Sequence, residues 1–423
     1  MSKSKNKKEI AVIGQGFVGI PMSILIAEKT NCLVHGIDKN DSRGKKIKQF
    51  IDGEKLPFNS KDQELSKKFK KVRKKKKYKI SLNLDPIQKC SIIVISISFD
   101  FSSKNSIKNL KKLFFDVSKK VKKKTLIILE TTLPPGTSEK IIIPEIKKNL
   151  KKRKMLLSDI NFAYSYERIT PGNNYYNSIS NYFRVYAGMN EISSNQCKIF
   201  LKKIINTKKY PLTQLKTITD CETCKIVENT YRAVNIAFID ELTNFSIKNK
   251  IDIKNILKAI RLRNTHDNIM NPGLGVGGYC LTKDPKFLEY SSKNIFKKKF
   301  KFPIINNSIS INSNMVNTSI KFIEKKISFL KNKKILQVGI SYKEDVDDIR
   351  HSPSVDLAKK LKKKGVILDI YDPLFEKYNL LKFNFVKKMN FSNYDCVLFC
   401  VGHSNIKKLN IKNLDKQPIY FDL

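Results

Sequence analysis

Two kinds of hydrophobic patterning alternate along the first third of the chain. Apolar runs of strand length occur at EIAVIG (9–14), LVHGID (33–38), CSIIVISIS (90–98) and TLIILE (125–130). Between them lie segments whose apolar residues recur every three to four positions, such as FVGIPMSILIAEKT (17–30) and SIKNLKKLFFDVSKKV (106–121). A short continuous apolar run suits a strand covered on both faces, and the longer period suits a helix with one apolar stripe. Strand and helix in alternation predict a doubly wound α/β domain.

From about residue 217 the pattern changes. DCETCKIVENTYRAVNIAFIDELTNFSIKNK (220–250) contains neither Gly nor Pro and predicts one long helix; DIKNILKAIRLR (252–263) predicts a second. This middle region is long enough to tie two subunits together. After KFIEKKISFLKNK (321–333) the alternation returns, with strands at KILQVGIS (334–341), VILDIYDP (366–373) and DCVLFCVG (395–402) and a helix at SPSVDLAKKLKKKG (352–365). The expected fold is therefore α/β: two doubly wound domains joined by a helical middle region with a long central helix. The divisions are expected at 1–205, 206–315 and 316–423.

Charge adds one element to this picture. The 423 residues carry 83 Lys and Arg against 38 Asp and Glu, a formal +45, and only nine of the cations are Arg. Such an excess attracts polyanions. Lysine together with abundant Ile and Asn also reads as an AT-rich genome writing its surface in lysine, which favours small anionic substrates without making a nucleic-acid site. The densest run, KKFKKVRKKKKYK (67–79), has only Phe69 and Tyr78 interleaved, too few aromatics for a base-stacking surface, so nucleic acid is not the expected partner. No apolar run approaches the ~18–20 residues of a membrane helix, and the basic first residues lack an apolar signal core, so no membrane partner and a cytoplasmic location are expected. Eight Cys are too sparse for a disulfide scaffold; Cys221-x-x-Cys224 has no second pair and no nearby His, so no metal is expected.

Several motifs carry chemistry. Gly14-Gln15-Gly16-Phe17-Val18-Gly19 follows a strand and opens a helix, and Asp38 ends the next strand. In that setting the glycines allow a tight turn and close approach of a pyrophosphate, and the carboxylate takes ribose hydroxyls. Asp38 repels a 2′-phosphate and favours NAD over NADP, with Lys39 and Arg43 nearby pulling the other way. ETTLPPGTSEK (130–140) sets Glu130 and Thr132 at the carboxyl edge of the sheet, or is simply a capped turn. YSYERITPG (164–172) puts Glu167 and Arg168 beside a Pro-Gly turn. Lys225, Asn229, Arg232 and Asn235 fall along one helical stripe, against the apolar Val227, Ala233, Ile236 and Ala237. Cys280 closes the glycine run NPGLGVGGYC; a thiolate there attacks an aldehyde, and the small glycines leave room for a sugar. Asp284 stands four residues on, suited with Lys225 to a hydrolytic water. Lys343 and Arg350, in YKEDVDDIRHSP (342–353), suit a diphosphate.

Taken together, GQGFVGIP, ETTLPPGTSEK, YSYERITPG, KIVENTYRAVNIAFIDEL, PGLGVGGYCLTKDP and YKEDVDDIRHSPS resemble, in order and over residues 9 to about 373, the nucleotide-sugar 6-dehydrogenases acting on UDP-glucose, UDP-N-acetylhexosamines or GDP-mannose. The resemblance implies an NAD-binding Rossmann first domain, a helical middle that dimerises or assembles further, and a Rossmann-like last domain that binds the nucleotide. It implies four-electron oxidation of a sugar C6 alcohol to a carboxylate with two NAD, through a thiohemiacetal and a thioester on Cys280. By the same resemblance Glu167 is the acid/base carboxylate, Lys225 and Asn229 stabilise the oxyanion, and Asp284 helps position water. Gly14, Gly16, Phe17, Val18, Gly19, Asp38, Ser98, Thr132, Lys283 and Arg350 match cofactor positions, and Arg168, Arg232, Gly277 and Lys343 match substrate positions.

Departures sharpen the question of the sugar. ISISFD (95–100) stands where the family often has Val-Pro-Thr-Pro, leaving Ser98 for the Thr hydroxyl. NTHDNIMNPG (264–273) lacks the Arg that many N-acetyl-sugar members carry after the His, with Arg261 or Arg263 as replacements. Lys283 resembles UDP-glucose enzymes, whereas ETTLPPGT resembles the N-acetylhexosamine branch; the expected substrate is a UDP-N-acetylhexosamine (ManNAc or GlcNAc), with UDP-glucose as the alternative. Rival readings are a two-electron hydroxyacid dehydrogenase using only Lys225 and Asn229, and a non-enzymatic binder of RNA or anionic membrane.

Overall fold

The computed structural model describes residues 8–58, 60, 62–100, 103, 105–169, 172, 174–375, 382–408 and 418–423. Its chain divides into two compact units, Met1–Ile226 with Phe287–Phe300, and Val227–Lys286 with Lys301–Leu423.

The first unit holds strands β1 (Glu9–Ile13), β2 (Leu33–Ile37), β3 (Tyr78–Ser81), β4 (Ile92–Ile95), β5 (Leu126–Leu129), β6 (Asn161–Tyr164), β7 (Arg184–Gly188) and β8 (Leu212–Gln214). They form one sheet in the order β3-β2-β1-β4-β5-β6-β7-β8. Pairing is parallel except between β6 and β7. Helices α1 (Gly19–Lys29), α2 (Ser42–Asp52), α3 (Gln63–Lys74), α4 (Ser106–Lys120), α5 (Ile143–Lys152), α6 (Tyr175–Ser180) and α7 (Glu191–Ile204) surround it. Alternate residues of one strand serve opposite faces: Ile10 and Val12 pack with Ile24 of α1 and Phe69 of α3, while Ala11 and Ile13 pack with Phe114 of α4 and Ile146 of α5. That two-sided burial is why the strands read as unbroken apolar runs.

The basic run 67–79 becomes the end of α3, a turn and β3. Leu65, Phe69 and Val72 point inward at helical spacing, and Tyr78 is fully buried, so both of its aromatics are core residues. The lysines between them take the remaining face.

Helix α8 (Ile218–Asn249) is one uninterrupted run of 32 residues, and it passes from the first unit into the second. The second unit adds α9 (Ile253–Arg261), α10 (Tyr279–Lys283) and α12 (Pro303–Lys326); α11 (Lys286–Tyr290) falls at the return to the first unit. Its strands β9 (Lys334–Val338), β10 (Ile367–Tyr371), β11 (Asn384–Phe385), β12 (Cys396–Phe399) and β13 (Ile419–Asp422) pair in parallel in the order β11-β10-β9-β12-β13. Helices α12 and α13 (Pro353–Lys363) cover one face through Ile320, Ile323, Leu357 and Leu361. Residues 206–226 lie in the first compact unit: β8 pairs with β7, and Ile218, Cys221 and Ile226 enter the core of that sheet.

Turn chemistry fixes the loop after β1. Gly14 has φ +93°, and a Cβ there would lie 2.4 Å from the Ser96 carbonyl oxygen; a Cβ on Gly19 would lie 1.6 Å from the Gly14 oxygen. Gly273, by contrast, has nothing within 4 Å of its Cβ position. Gly19→Ala is therefore expected to lower unfolding free energy in urea by about 3 kcal/mol, while Gly273→Ala stays within roughly 0.5 kcal/mol of the parent.

Candidate functional site

At the carboxyl ends of β1 and β2 the glycine turn is locked by the acid that follows it. Asp38 accepts the Gln15 N–H (2.8 Å) on one oxygen and the Lys39 N–H (2.8 Å) on the other. Gln15 itself is buried, donating to the Val12 carbonyl and accepting from the Tyr78 hydroxyl. Beside the turn lies a cleft of about 230 Å³ walled by Gly16, Phe17, Arg43, Lys46, Phe50 and Phe58. Ser98 is exposed just past β4. The hydroxyl engaged at this edge is that of Thr131, which accepts the Ile97 N–H, and Thr132 is half-buried next to it.

Three further groups gather in the first unit. Glu130 and Arg184 form a fully buried ion pair at 3.1 Å. Burial pushes the Glu130 carboxyl up to about 7, against the pull of Arg184 and with a further push from Glu167. The carboxyl edge thus carries an ion pair at Glu130 rather than a simple cap. Glu222 is also fully buried and accepts the N–H groups of Gly136 (2.7 Å) and Ser138 (2.9 Å), tying the start of α8 to the Pro-Pro-Gly turn. One turn on, Lys225 donates to the Glu167 carbonyl at 2.8 Å and lies 4.0 Å from its carboxylate. Tyr166, buried, sits between cations: Lys225 Nζ and the Arg168 guanidinium are each 5.3 Å from its ring centre. Arg168 also donates to the Tyr166 hydroxyl and to the Phe183 carbonyl. Cys221 is buried in the core, and Cys224 lies 3.2 Å from the Tyr166 hydroxyl. The Thr170-Pro171 part of the expected turn lies outside the described residues; Gly172 has φ +138°.

In the second unit Asn229 donates to Asp284 Oδ2 at 2.6 Å, and Lys283 donates to Asp284 Oδ1 at 2.6 Å. Asp284 is fully buried, so both oxygens are satisfied where water does not reach. Cys280 is exposed in the first turn of α10, behind Gly278 at φ +81°. Tyr279 next to it is flanked by Lys283 (4.8 Å to the ring centre) and Arg350 (5.4 Å). Asp348 holds Arg350 in a fork of contacts at 2.7 to 3.0 Å and keeps its guanidinium above its ordinary pKa. Lys343 is pulled below its ordinary value by burial and then by Arg232.

Two expectations need correction here. Gly277 and Gly278 do not border open space: a Cβ on Gly277 would lie 2.7 Å from Pro353, and one on Gly278 would lie 2.7 Å from the Tyr342 ring. These glycines let the loop pack tightly; they do not leave room beside it. Nor is the helical stripe one unit. Arg232 is exposed, Asn235 bonds back to the Tyr231 carbonyl, and Val227 is half exposed while Ala233 and Ala237 are buried.

Three family models cover the chain in order: the NAD binding domain (8–206), central domain (219–314) and UDP binding domain (336–423) of the UDP-glucose/GDP-mannose dehydrogenase family. The chain belongs to this family. It is 32% identical to a UDP-N-acetyl-D-mannosamine dehydrogenase of Methanocaldococcus jannaschii, over 86% of this chain and 79% of that one. It is 26% identical to a UDP-N-acetyl-D-glucosamine 6-dehydrogenase of Pseudomonas aeruginosa, covering 98% and 96%. Among solved structures, a UDP-glucose dehydrogenase of Pyrobaculum islandicum superposes with TM-score 0.83 at 17% identity, covering 97% and 93% of the two chains. A UDP-N-acetyl-mannosamine dehydrogenase of Staphylococcus aureus does so at 0.77 and 26%, covering 97% and 92%.

As a member of the UDP-glucose/GDP-mannose dehydrogenase family the protein is an NAD-dependent nucleotide-sugar dehydrogenase. The residues after β1 fit that cofactor: Gly14 and Gly19 hold a turn with no room for a Cβ against backbone oxygens, and Asp38 stands just past the end of β2. Among the described residues no helix is long and apolar enough to cross a membrane, and no group of three or more metal-ligating side chains gathers. Sequence reasoning missed Tyr166, Glu222 and Asp240. Each stands in a quoted motif, in YSYER, CETCK and FIDEL, but its neighbours carry no signal of burial; what sets Tyr166 and Glu222 apart is a partner 58 to 86 residues away.

Asp240 is fully buried, accepts the Gly273 N–H at 3.3 Å on one oxygen and leaves the other without a donor. Burial pushes its pKa from 3.8 up to about 7. A raised carboxyl pKa gives stability that is fully present below the unfolded value and is lost as pH rises through the folded one. Asp240→Asn removes that loss. The variant should match the parent in unfolding free energy at pH 4 and exceed it at pH 8 by on the order of 3 kcal/mol, measured by urea titration at both values.

Proposed function

We propose that this dehydrogenase oxidises the C6 alcohol of a UDP-N-acetylhexosamine to the carboxylate, by two hydride removals around a covalent step on Cys280. The observation that carries the reading is the exposed Cys280 thiol on α10, one turn from an Asp284 carboxylate held by both Asn229 and Lys283. The relatives named UDP-N-acetyl-D-mannosamine and UDP-N-acetyl-D-glucosamine dehydrogenases support the sugar.

NAD, when bound, accepts the hydride at each oxidation. Before the first, Lys225 and Asn229 hold the C6 oxygen as its proton passes to water. The Cys280 sulfur then adds to the aldehyde carbon, forming a C–S bond and a thiohemiacetal whose oxygen the same two groups hold. Loss of the second hydride, with the hydroxyl proton again passing to water, leaves a thioester. Water attacks its carbonyl carbon while Glu167 takes the water proton; the C–S bond breaks, and the sulfur regains its proton. Lys343, Arg232 and Arg168 supply positive charge for the diphosphate and sugar, and Ser98, Thr132, Lys283 and Arg350 serve the cofactor side.

The three domains are taken as 1–205, 206–315 and 316–423, in keeping with the ranges of the three family models. The middle one assembles a homodimer. Val227, Tyr231, Phe238 and Phe245 lie four, seven and seven residues apart on α8 and are each 50–58% exposed. That seam, covered by a second copy, buries side chains that otherwise face water. Phe238→Glu should convert a dimer to a monomer in light scattering after size exclusion; an unchanged mass removes α8 from the interface.

Cys280→Ser is expected to lower steady-state turnover roughly 10³-fold while NAD affinity stays unchanged by calorimetry. The parent should yield two NADH per UDP-N-acetylhexosamine consumed, with lower kcat/KM on UDP-glucose and GDP-mannose. One NADH per sugar would instead support a two-electron enzyme.

A further inference from the structure

We propose that the second unit carries an effector site for a small hydroxylated anion, a sugar phosphate or sugar acid, in a cleft separate from the Cys280 turn. The cleft encloses about 350 Å³ between α8, α9, α12, the end of β13 and residues 271–273. That lies within the ~300–1,000 Å³ range of small-ligand sites. Its wall includes Asn244, fifteen residues beyond Asn229 on the same helix. At ~1.5 Å per residue this places it about 22 Å from the Asn229–Asp284 pair.

The lining defines the ligand. Leu257, Met315 and Phe322 make an apolar floor suited to the C–H face of a sugar ring. Helix α9 turns Lys254, Lys258 and Arg261 toward the cleft at spacings of four and three. Lys254 is met by Asp422 at 2.6 Å, and among the described residues Lys258 has no acidic partner. Asn244 gives its amide N–H to Met315 sulfur at 3.7 Å, and its buried Oδ1 has no donor. An unmatched cation beside an unfilled acceptor calls for an anion that also carries hydroxyl donors.

Occupancy has a path to the thiol. Arg261 donates through one nitrogen to the Ile269 and Met270 carbonyls and to Asn271 Oδ1, and Asp240 holds the Gly273 N–H. The loop beyond is packed along its length: a Cβ on Gly275 would lie 2.3 Å from the Asn312 carbonyl oxygen, and Gly277 and Gly278 press on Pro353 and Tyr342. A ligand that draws Arg261 toward its anion shifts a segment that ends at Cys280. Binding stands independently of the proposed catalytic role of Cys280; only its consequence for turnover rests on that role.

The test titrates the full-length, NAD-loaded protein by calorimetry with glucose 1-phosphate, glucuronate and inorganic phosphate. In parallel, Cys280 is alkylated with iodoacetamide with and without each compound. Either sugar anion should bind at one site without competing with UDP, and should change the alkylation rate at least about 5-fold, the lower end of ordinary site–site coupling. Lys258→Ala should weaken that binding at least tenfold, and Thr318→Trp, which fills the cleft, should abolish it. Inorganic phosphate should bind more weakly. Absence of binding by both sugar anions, competition with UDP, or equal affinity in Lys258→Ala and Thr318→Trp would overturn the site. Phosphate binding as tightly as glucose 1-phosphate would overturn the hydroxylated-ligand assignment. Lost binding with normal nucleotide-sugar turnover defeats the effector site alone; binding without any such turnover defeats the catalytic reading alone.

Discussion

Eight residues of one helix, 222–229, carry three buried or half-buried polar groups that must each find a partner, and this constraint organises the chemistry of the chain. Glu222 closes on two backbone N–H groups of the Pro-Pro-Gly turn, Lys225 on the Glu167 carbonyl, and Asn229 on the Asp284 carboxylate. A buried polar group left without its partner loses on the order of 1–3 kcal/mol. The helix azimuth is therefore set by its polar side chains as much as by its apolar ones. The first two contacts anchor α8 in the first unit, and the third fixes α10 against it in the second.

Close packing of glycine backbone is the second organising feature, and it appears at both ends of the proposed chemistry. Gly14 and Gly19 bring the β1 turn against itself and against the end of β4. Gly275, Gly277 and Gly278 bring the loop before Cys280 against α12 and the Tyr342 loop. In neither place is glycine there for slackness. It permits close contact of backbone with backbone at Gly14, Gly19 and Gly275, and with Pro353 and Tyr342 at Gly277 and Gly278, and a rigid approach of this kind suits the proposed roles of both loops.

Much of this was legible in the chain. Buried strands of a parallel sheet lack alternation, and β1, β2, β4, β5, β9, β10 and β12 all announce themselves as apolar runs. The strands β8 and β11 did not, because they are two or three residues long with half-exposed or exposed side chains and exist only through pairing with a neighbour. Cys280 and Asp38 stand out by their pattern context, after a glycine run and after a strand; the structure places the first exposed on α10 and the second on the Gln15 and Lys39 N–H groups. Tyr166 and Glu222 were not, since what distinguishes them is a partner dozens of residues away. Glu130 looked like an edge carboxylate, but its counter-ion Arg184 lies 54 residues on, beyond any local pattern. The stripe on α8 failed as a single feature because a long helix that changes neighbours does not keep one buried face along its length.

The central claim is that one sulfur bonds to the substrate, and trapping that bond tests it most directly. Glu167→Gln should slow hydrolysis of the thioester more than its formation. Mixed with NAD and UDP-N-acetylmannosamine, quenched in acid and digested, this variant should show the acylated mass on the peptide containing Cys280 and on no other cysteine. If two NADH form per sugar while the Cys280 peptide stays unmodified at every time sampled, the covalent account is contradicted.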